Sequence, residues 1–167
     1  AVLTQYKAQS LIRHIMQEWE FLDSSMGEFI DVVPAQQQVG ENWYSGTADA
    51  VFQNLQLLRD TQPRYLLVLA GDHVYKMDYG RMLEDHVRAQ AKMTIACIDV
   101  PLHEASSLGV MAVNTEGRVV GFEEKPSSAV PAPGRPDYAL ASMGIYVFDA
   151  AFLYDELVRD ADDANSS

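Results

Sequence analysis

The sequence predicts an α/β fold with a mostly parallel central sheet and one antiparallel hairpin. Three observations predict it. Residues 66–70 are all apolar and lead directly into Gly71-Asp72, as expected of a strand buried on both faces. Segments with helical spacing alternate with short apolar runs through the first hundred residues, which is typical of parallel strands joined by crossover helices. Two later apolar runs flank a turn, which indicates a hairpin.

Each element follows from the local pattern of apolar and turn residues. In the first helix, Leu11, Ile15 and Trp19 recur at helical spacing. Thr47 is a suitable N-cap for the second helix, and Asp49 in its first turn favours the positive end of the helix dipole. The predicted strands cover residues 1–4, 65–70, 92–98, 109–113, 119–122 and 141–148, and the predicted helices cover 7–18, 47–59, 79–89 and 152–159.

Two further segments are predicted to lack regular structure. Residues 24–45 form a long connection with little periodicity, and such connections are usually functional or mobile. Residues 127–136 contain three prolines and are predicted to form a surface loop. In the predicted hairpin, Gly117 supplies the positive φ that the turn requires.

Composition excludes several classes of protein. The 167 residues are 48% hydrophobic and 22% charged, which is ordinary for one globular domain. A net charge of −12 argues against a nucleic-acid-binding surface. No apolar run approaches the roughly 20 residues that span a bilayer, and no signal peptide is recognisable, so we expect no membrane partner and a cytoplasmic location. The single cysteine, Cys97, is expected to be a buried and unreactive thiol.

Familiar catalytic motifs are absent from the sequence. No Cys/His cluster has the spacing of a zinc site, and neither a Gly-x-Ser-x-Gly nor a Gly-x-x-x-x-Gly-Lys-[Ser/Thr] motif occurs. The sequence therefore gives no support for a zinc site, a nucleophilic hydrolase or a P-loop NTPase.

Asp72 is the sharpest candidate for a functional residue. It follows the most apolar predicted strand, at the sheet edge where open α/β folds bind ligands. A carboxylate there suits Mg²⁺ held between the protein and nucleotide phosphates. The alternative is a turn residue that caps the next helix. The neighbouring His73 is better explained as a hydrogen-bonded structural histidine.

Three other segments carry candidates with two interpretations each. Trp43 and Tyr44 precede a helix start and could stack a flat base, or they could simply fix the entry of that helix. Lys125, at a strand end, could meet a phosphate, although spacing alone favours an exposed ion pair. Ser142, in the last predicted strand, could contact a ligand or mark a bulge.

Taken together, these segments closely resemble the bacterial glucose-1-phosphate adenylyltransferases, also called ADP-glucose pyrophosphorylases. The resemblance runs through almost the whole chain and rests on Leu-Thr-Gln-Tyr-Lys at residues 3–7, Pro-Ala-Gln-Gln at 34–37, Trp-Tyr-x-Gly-Thr-Ala-Asp-Ala-Val at 43–51, Leu-Ala-Gly-Asp-His-Val-Tyr-Lys-Met-Asp-Tyr at 69–79, Gly-Val-Met at 109–111, Glu-Lys-Pro at 124–126 and Ala-Ser-Met-Gly-Ile-Tyr-Val-Phe at 141–148. So many segments in this order are specific to the family.

The resemblance implies a Rossmann-like sugar-nucleotidyltransferase fold and a reaction. ATP and glucose 1-phosphate would give ADP-glucose and pyrophosphate for glycogen synthesis, with Mg²⁺ as cofactor and no covalent enzyme intermediate. Catalysis of this kind consists mainly of positioning and charge neutralisation. Full-length relatives are expected to be allosteric homotetramers.

The resemblance also assigns roles to individual residues. Asp72 would hold Mg²⁺, and Asp72 and Lys125 would be the catalytic pair. The adenine side would be lined by Trp43, Tyr44, Gly46 and Thr47. Glucose 1-phosphate would be held by Gly109, Glu124, Lys125 and Ser142, with Lys125 at its phosphate. The loop at residues 34–38 matches one linked to allosteric activation, but Gln38 replaces a common Arg, which questions regulation by anionic sugar phosphates.

Some family features are not found in residues 1–167. The Gly-Gly-x-Gly-x-Arg-Leu loop that cradles the triphosphate, a second metal-binding aspartate and a C-terminal β-helix domain are expected outside this sequence. We therefore expect a partial catalytic domain that is inactive by itself. The alternatives are a non-catalytic module that binds nucleotides or sugar phosphates, and a pyrophosphorylase for another sugar nucleotide.

Overall fold

The computed structural model describes residues 1–5, 7–19, 28–35, 44–72 and 74–163. The chain divides into two compact units, one formed by Ala1–Gln62 with Tyr154–Ser167 and the other by Pro63–Leu153. In chain order the elements are β1 (Val2–Thr4), α1 (Gln9–Glu18), β2 (Val32–Pro34), α2 (Thr47–Gln53), α3 (Leu55–Asp60), β3 (Tyr65–Leu69), α4 (Tyr79–Arg88), β4 (Met93–Pro101), β5 (Gly109–Val113), β6 (Val119–Glu124), β7 (Tyr138–Asp149) and α5 (Ala150–Asp162).

The first unit contains a parallel pair of strands and short helices. β1 pairs with β2 in parallel, and β2 lies within the stretch predicted to lack regular structure. A single helix was predicted over residues 47–59, but the structure has two helices there, α2 and α3, which are separated at Asn54. The Asn54 amide donates to the carbonyl of Ala50 at 2.8 Å while its backbone N–H bonds Val51. The side chain thus replaces the regular helical bond, as Asn often does.

The second unit is built on a five-stranded sheet with the order β3-β7-β5-β6 and with β4 on the other side of β7. β3 and β4 run in the same direction, as predicted, because each pairs antiparallel with β7. The α/β class is therefore confirmed. A mostly parallel sheet was predicted, but every pair of neighbouring strands described in this sheet is antiparallel. The 12-residue β7 lies between β3 and β4, and strands adjacent in sequence need not be neighbours.

One side of β7 is shared by two strands. β3 pairs with residues 145–149, and β5 pairs with Leu140 and Ala141. The change of partner occurs near Gly144, which has φ of +66° and whose carbonyl oxygen accepts the N–H of Ala70 at 3.1 Å. A positive φ favours glycine, so the sequence at this position suits the change of partner.

The core of the second unit lies where α4 packs against the sheet. Met82 on α4 joins Ala96, Ile145 and Val147 in one buried cluster. His86, also on α4, is 1% exposed, and its Nδ1 lies 2.8 Å from the hydroxyl of Thr94. A smaller buried cluster forms around Ala105, Val110 and Ala139. Together these contacts fix the sheet rows that carry the candidate site.

The predicted hairpin and proline-rich loop are both confirmed. β5 and β6 pair antiparallel, and the connecting turn closes with the Gly117 N–H donating to Asn114 O at 3.0 Å. Gly117 has φ of +76°. The loop after β6 is mostly exposed, but Arg135 within it forms an ion pair with Asp99 on β4. No helix in the described part of the chain is long and apolar enough to cross a membrane.

Candidate active site

Three of the four predicted sugar-phosphate residues lie in one row across the sheet. Gly109 on β5 pairs with Glu124 on β6. Val110 pairs with Ala141, so Gly109 and Ser142 each lie one residue beyond that pair, on the same face. The fourth residue, Lys125, follows Glu124 directly. Residues far apart in sequence therefore meet on one face, as the resemblance implies.

The backbone of Gly109 is closely approached by two side chains of β6. A Cβ atom built at Gly109 would lie 2.8 Å from Glu124 Oε2 and 2.8 Å from Cε2 of Phe122. Real Cβ atoms essentially never have contacts this short, so any larger residue would displace both side chains. Glycine therefore leaves both side chains in place, whereas a larger residue would require them to shift. The sequence analysis missed Phe122, whose place beside Gly109 depends on the strand register.

Lys125 is held in an unusual backbone conformation at the end of β6. Its φ is +50°, and its backbone N–H donates to Leu108 O at 3.0 Å. Its Nζ lies 3.9 Å from Glu124 Oε1, and its side chain is 67% exposed. An exposed ion pair of this kind is worth only about 0–1 kcal/mol, so an incoming phosphate could replace it at little cost. The ion-pair and phosphate interpretations are thus compatible.

Ser142 presents a hydroxyl in the middle of β7. Its Oγ accepts the backbone N–H of Gly144 at 3.3 Å and lies 3.5 Å from the hydroxyl of Tyr146. Tyr146 is four residues further along the strand and therefore points to the same face. Tyr146 was not predicted, although its spacing of four residues from Ser142 in the same predicted strand indicates that the two hydroxyl groups share a face.

The opposite neighbour of Ser142 is Cys97 on β4, with which it pairs. Cys97 is half-buried, and burial raises the pKa of its thiol. A raised pKa disfavours the reactive thiolate. The predicted unreactive character of Cys97 thus agrees with its surroundings.

Asp72 is exposed and lies just beyond the end of β3. Ala70, two residues earlier, still bonds to β7 at Gly144, so Asp72 follows at the end of β3 nearest to Gly144. The alternative role as cap of the next helix belongs instead to Asp78, whose carboxylate accepts the Arg81 N–H at 3.3 Å. His73 lies outside the described residues.

The chemistry of Asp72 fits a magnesium ion bound largely by phosphates. Mg²⁺ prefers hard oxygen ligands and is commonly held by one or two carboxylates plus substrate phosphates. The described ranges contain no group of three or more His, Cys, Asp or Glu that could hold a metal ion by itself. A single exposed carboxylate at the strand end therefore suits an ion brought with a nucleotide.

The predicted adenine-side residues that the structure describes are in the first unit. Tyr44 is half-buried, and its hydroxyl accepts the Asn54 amide at 3.0 Å, whereas Gly46 and Thr47 are exposed. Thr47 was predicted to be the N-cap of α2, but it is the first residue of that helix. Gly46 is the N-cap and has no side chain with which to cap the helix, and the Asp49 carboxylate accepts the Ser45 N–H at 2.8 Å. Trp43 and residues 36–38 lie outside the described ranges.

Comparison with known proteins shows the family of the chain. The nucleotidyl transferase family model matches residues 1–167. Glucose-1-phosphate adenylyltransferases of Nitrosospira multiformis, Methylobacillus flagellatus and Nitrosococcus oceani are 63%, 62% and 58% identical to the chain, each over 99% of its length. The chain spans 39% of the length of each of these relatives. These matches confirm the resemblance read from the motifs, and the chain belongs to the nucleotidyl transferase family.

Proposed function

We propose that the protein containing this chain forms ADP-glucose and pyrophosphate from ATP and glucose 1-phosphate, as part of glycogen synthesis. The observation that carries the proposal is the row of Gly109, Glu124 and Ser142 with Lys125 beside it. This face combines a cation for a phosphate with oxygen acceptors and donors for sugar hydroxyls. The three relatives, all named glucose-1-phosphate adenylyltransferase, support the same activity.

The proposed reaction requires the sugar phosphate to be held for in-line attack. An oxygen of glucose 1-phosphate attacks the α-phosphorus of ATP, a new P–O bond forms, and the bond to pyrophosphate breaks. Lys125 holds the attacking phosphate as a point charge. The Glu124 carboxylate accepts hydrogen bonds from sugar hydroxyls, and the Ser142 hydroxyl contributes a further polar contact. Positioning and neutralisation of charge thereby supply most of the rate increase.

Asp72 is proposed as the protein ligand for Mg²⁺. When bound, the ion would neutralise charge on the nucleotide phosphates. The exposed Asp72 carboxylate, at the end of β3 nearest to Gly144, supports this assignment.

Further assignments stay predictions that follow from the resemblance. Trp43, Tyr44, Gly46 and Thr47 are proposed for the adenine side, and the exposure of Gly46 and Thr47 supports access by a ligand. Residues 1–167 are proposed as part of a catalytic domain. Homotetrameric assembly and a cytoplasmic location belong to the same set of predictions.

The experiment is a steady-state assay of a full-length polypeptide that contains this chain. ADP-glucose formation from ATP, glucose 1-phosphate and Mg²⁺ is expected, and Lys125→Ala should raise KM for glucose 1-phosphate at least about tenfold. Asp72→Asn should instead lower kcat by about 100-fold or more. Arg118→Ala, which removes a cation in the hairpin turn, is the matched control and should behave like the unsubstituted protein.

Two alternatives are outcomes of the same assay. Higher kcat/KM with UTP, GTP or dTTP in place of ATP would identify a pyrophosphorylase for another sugar nucleotide. Binding of ATP or glucose 1-phosphate without turnover by the full-length protein would identify a non-catalytic module and refute the proposal.

A further inference from the structure

Two side chains of β6 converge on one point above Gly109. Phe122 Cε2 and Cζ are 2.8 and 2.9 Å from the position of a Cβ at Gly109, and Glu124 Oε2 is 2.8 Å from the same position. The ring edge and the carboxylate oxygen therefore lie side by side over the glycine backbone. The absence of a side chain at Gly109 is what admits both groups.

The register of the hairpin makes this arrangement a property of the strands. Phe122 pairs with Met111 and Glu124 pairs with Gly109, so both β6 side chains project from the same face. Ser142 lies on that face in the neighbouring strand. Phe122 is 58% exposed, although it is a large apolar side chain. An exposed aromatic ring beside a row of polar groups has no evident role in stabilising the hydrophobic core.

The Glu124 carboxylate is bounded on two sides. Its Oε2 faces Gly109 and the Phe122 ring, whereas its Oε1 lies 3.9 Å from the ammonium group of Lys125. The Glu124 side chain is 60% exposed, so the rest of the protein does not restrict its rotamers on the remaining sides. Long exposed carboxylate side chains lose conformational entropy when they are ordered for binding, and a neighbouring ring reduces that cost.

We propose that Phe122 is a positioning residue that orients the Glu124 carboxylate for the hydroxyl groups of the sugar phosphate. The inference rests on the proposed function, because it assigns Glu124 to the sugar-phosphate subsite. Phe122 acts through Glu124 and does not take part in bond formation.

The test uses the full-length polypeptide and a double-mutant cycle. Phe122→Ala should raise KM for glucose 1-phosphate by about five- to tenfold, with kcat and KM for ATP changed less than about twofold. In a Glu124→Gln background the same substitution should have almost no effect on KM or on equilibrium binding of glucose 1-phosphate. Phe122→Tyr, which keeps the ring, should restore KM, whereas Phe122→Leu should not.

Val119→Ala is the matched control, because Val119 is an exposed apolar residue of the same strand that pairs with Val113, away from Gly109. It should leave every kinetic constant unchanged. An unchanged KM in Phe122→Ala, or an equal effect of that substitution with and without the Glu124 carboxylate, would overturn the inference. Failure of the unsubstituted protein to form ADP-glucose would instead overturn the proposed function, and the two failures are therefore distinguishable.

Discussion

At the scale of single residues, the space above Gly109 decides how the candidate subsite is built. Two exposed side chains of β6 use the volume that any Cβ would occupy. A glycine in a strand usually weakens the strand, because it has no side chain to pack and loses more entropy on folding. Its presence here is explained by the close approach of Phe122 and Glu124.

We therefore predict that Gly109→Ala lowers kcat/KM for glucose 1-phosphate by about 10- to 100-fold in the full-length protein, because the new methyl group displaces the Glu124 carboxylate. Gly121→Ala is the control, since its added Cβ would make only an ordinary 3.5 Å contact with Ala112 Cβ. Equal kinetics for the two variants would contradict this account of Gly109.

His86 leads to a prediction about pH. Burial lowers the pKa of its imidazole, partly opposed by the negative charge of Asp149. Its Nε2 is buried without a hydrogen-bond partner among the described residues, which also disfavours the charged form. A lowered native pKa means that the unfolded chain binds more protons below its own pKa of 6.5, so stability is lost as the pH falls through that value.

The measurement is the thermal unfolding midpoint of the full-length protein between pH 7.5 and 5. His86→Gln should reduce the decline of the midpoint with falling pH, whereas the exposed His103→Gln should leave the decline intact. Identical pH profiles for the two variants would show that His86 does not control this dependence.

At the scale of elements, the sequence predicted most strands and helices but not their neighbours. The apolar run of β3, the amphipathic spacing of α4 and the turn of the β5–β6 hairpin are local signals, and each element formed within a few residues of its expected limits. The placement of β7 between β3 and β4 depends on contacts between distant segments, which no local pattern contains. The three-residue β2 is too short to give a periodic signal.

The same distinction applies to the candidate site. Glu124, Lys125 and Ser142 could be named from motifs, because the resemblance covers their segments. Phe122 became visible only through the register of β5 and β6. The break at Asn54 was also missed, because the replacement of a helical bond by an Asn side chain is a competition between two nearly equal hydrogen bonds.

The change of partner along β7 gives a prediction about stability. Gly144→Ala should destabilise the fold by about 1–3 kcal/mol, because alanine at positive φ is strained and its Cβ would lie 3.1 Å from Ala70 Cβ. In the double variant with Ala70→Gly, only the part of the lost stability that is due to the contact between the two Cβ atoms should be recovered. Denaturant unfolding of the three variants measures both parts, and a fully neutral Gly144→Ala would refute the strain.

At the scale of the whole molecule, the predicted site residues fall in two compact units of the chain. The sugar-phosphate residues and Asp72 belong to the second unit, and the described adenine-side residues belong to the first. The chain also spans 39% of the length of its relatives. Activity is therefore a question for the full-length protein.

We predict that residues 1–167 alone catalyse no measurable exchange of pyrophosphate into ATP in the presence of glucose 1-phosphate and Mg²⁺, whereas the full-length protein does. A single candidate carboxylate for the metal and only part of the nucleotide contacts are expected in this segment. Incorporation of labelled pyrophosphate into ATP is the measurement. Robust exchange by the isolated segment would contradict the prediction.

The shared flank of β7 restricts how this segment can vary in length. Its later residues are held by β3 and its earlier ones by β5, with Gly144 at the junction. An inserted or deleted residue between Ser142 and Ile145 would change the number of residues that join the two ladders, so one ladder would slip by a residue and its side chains would turn to the opposite face of the sheet. If the β5 ladder slipped, the Ser142 hydroxyl would leave the face that carries Glu124, so the length of this junction is restricted.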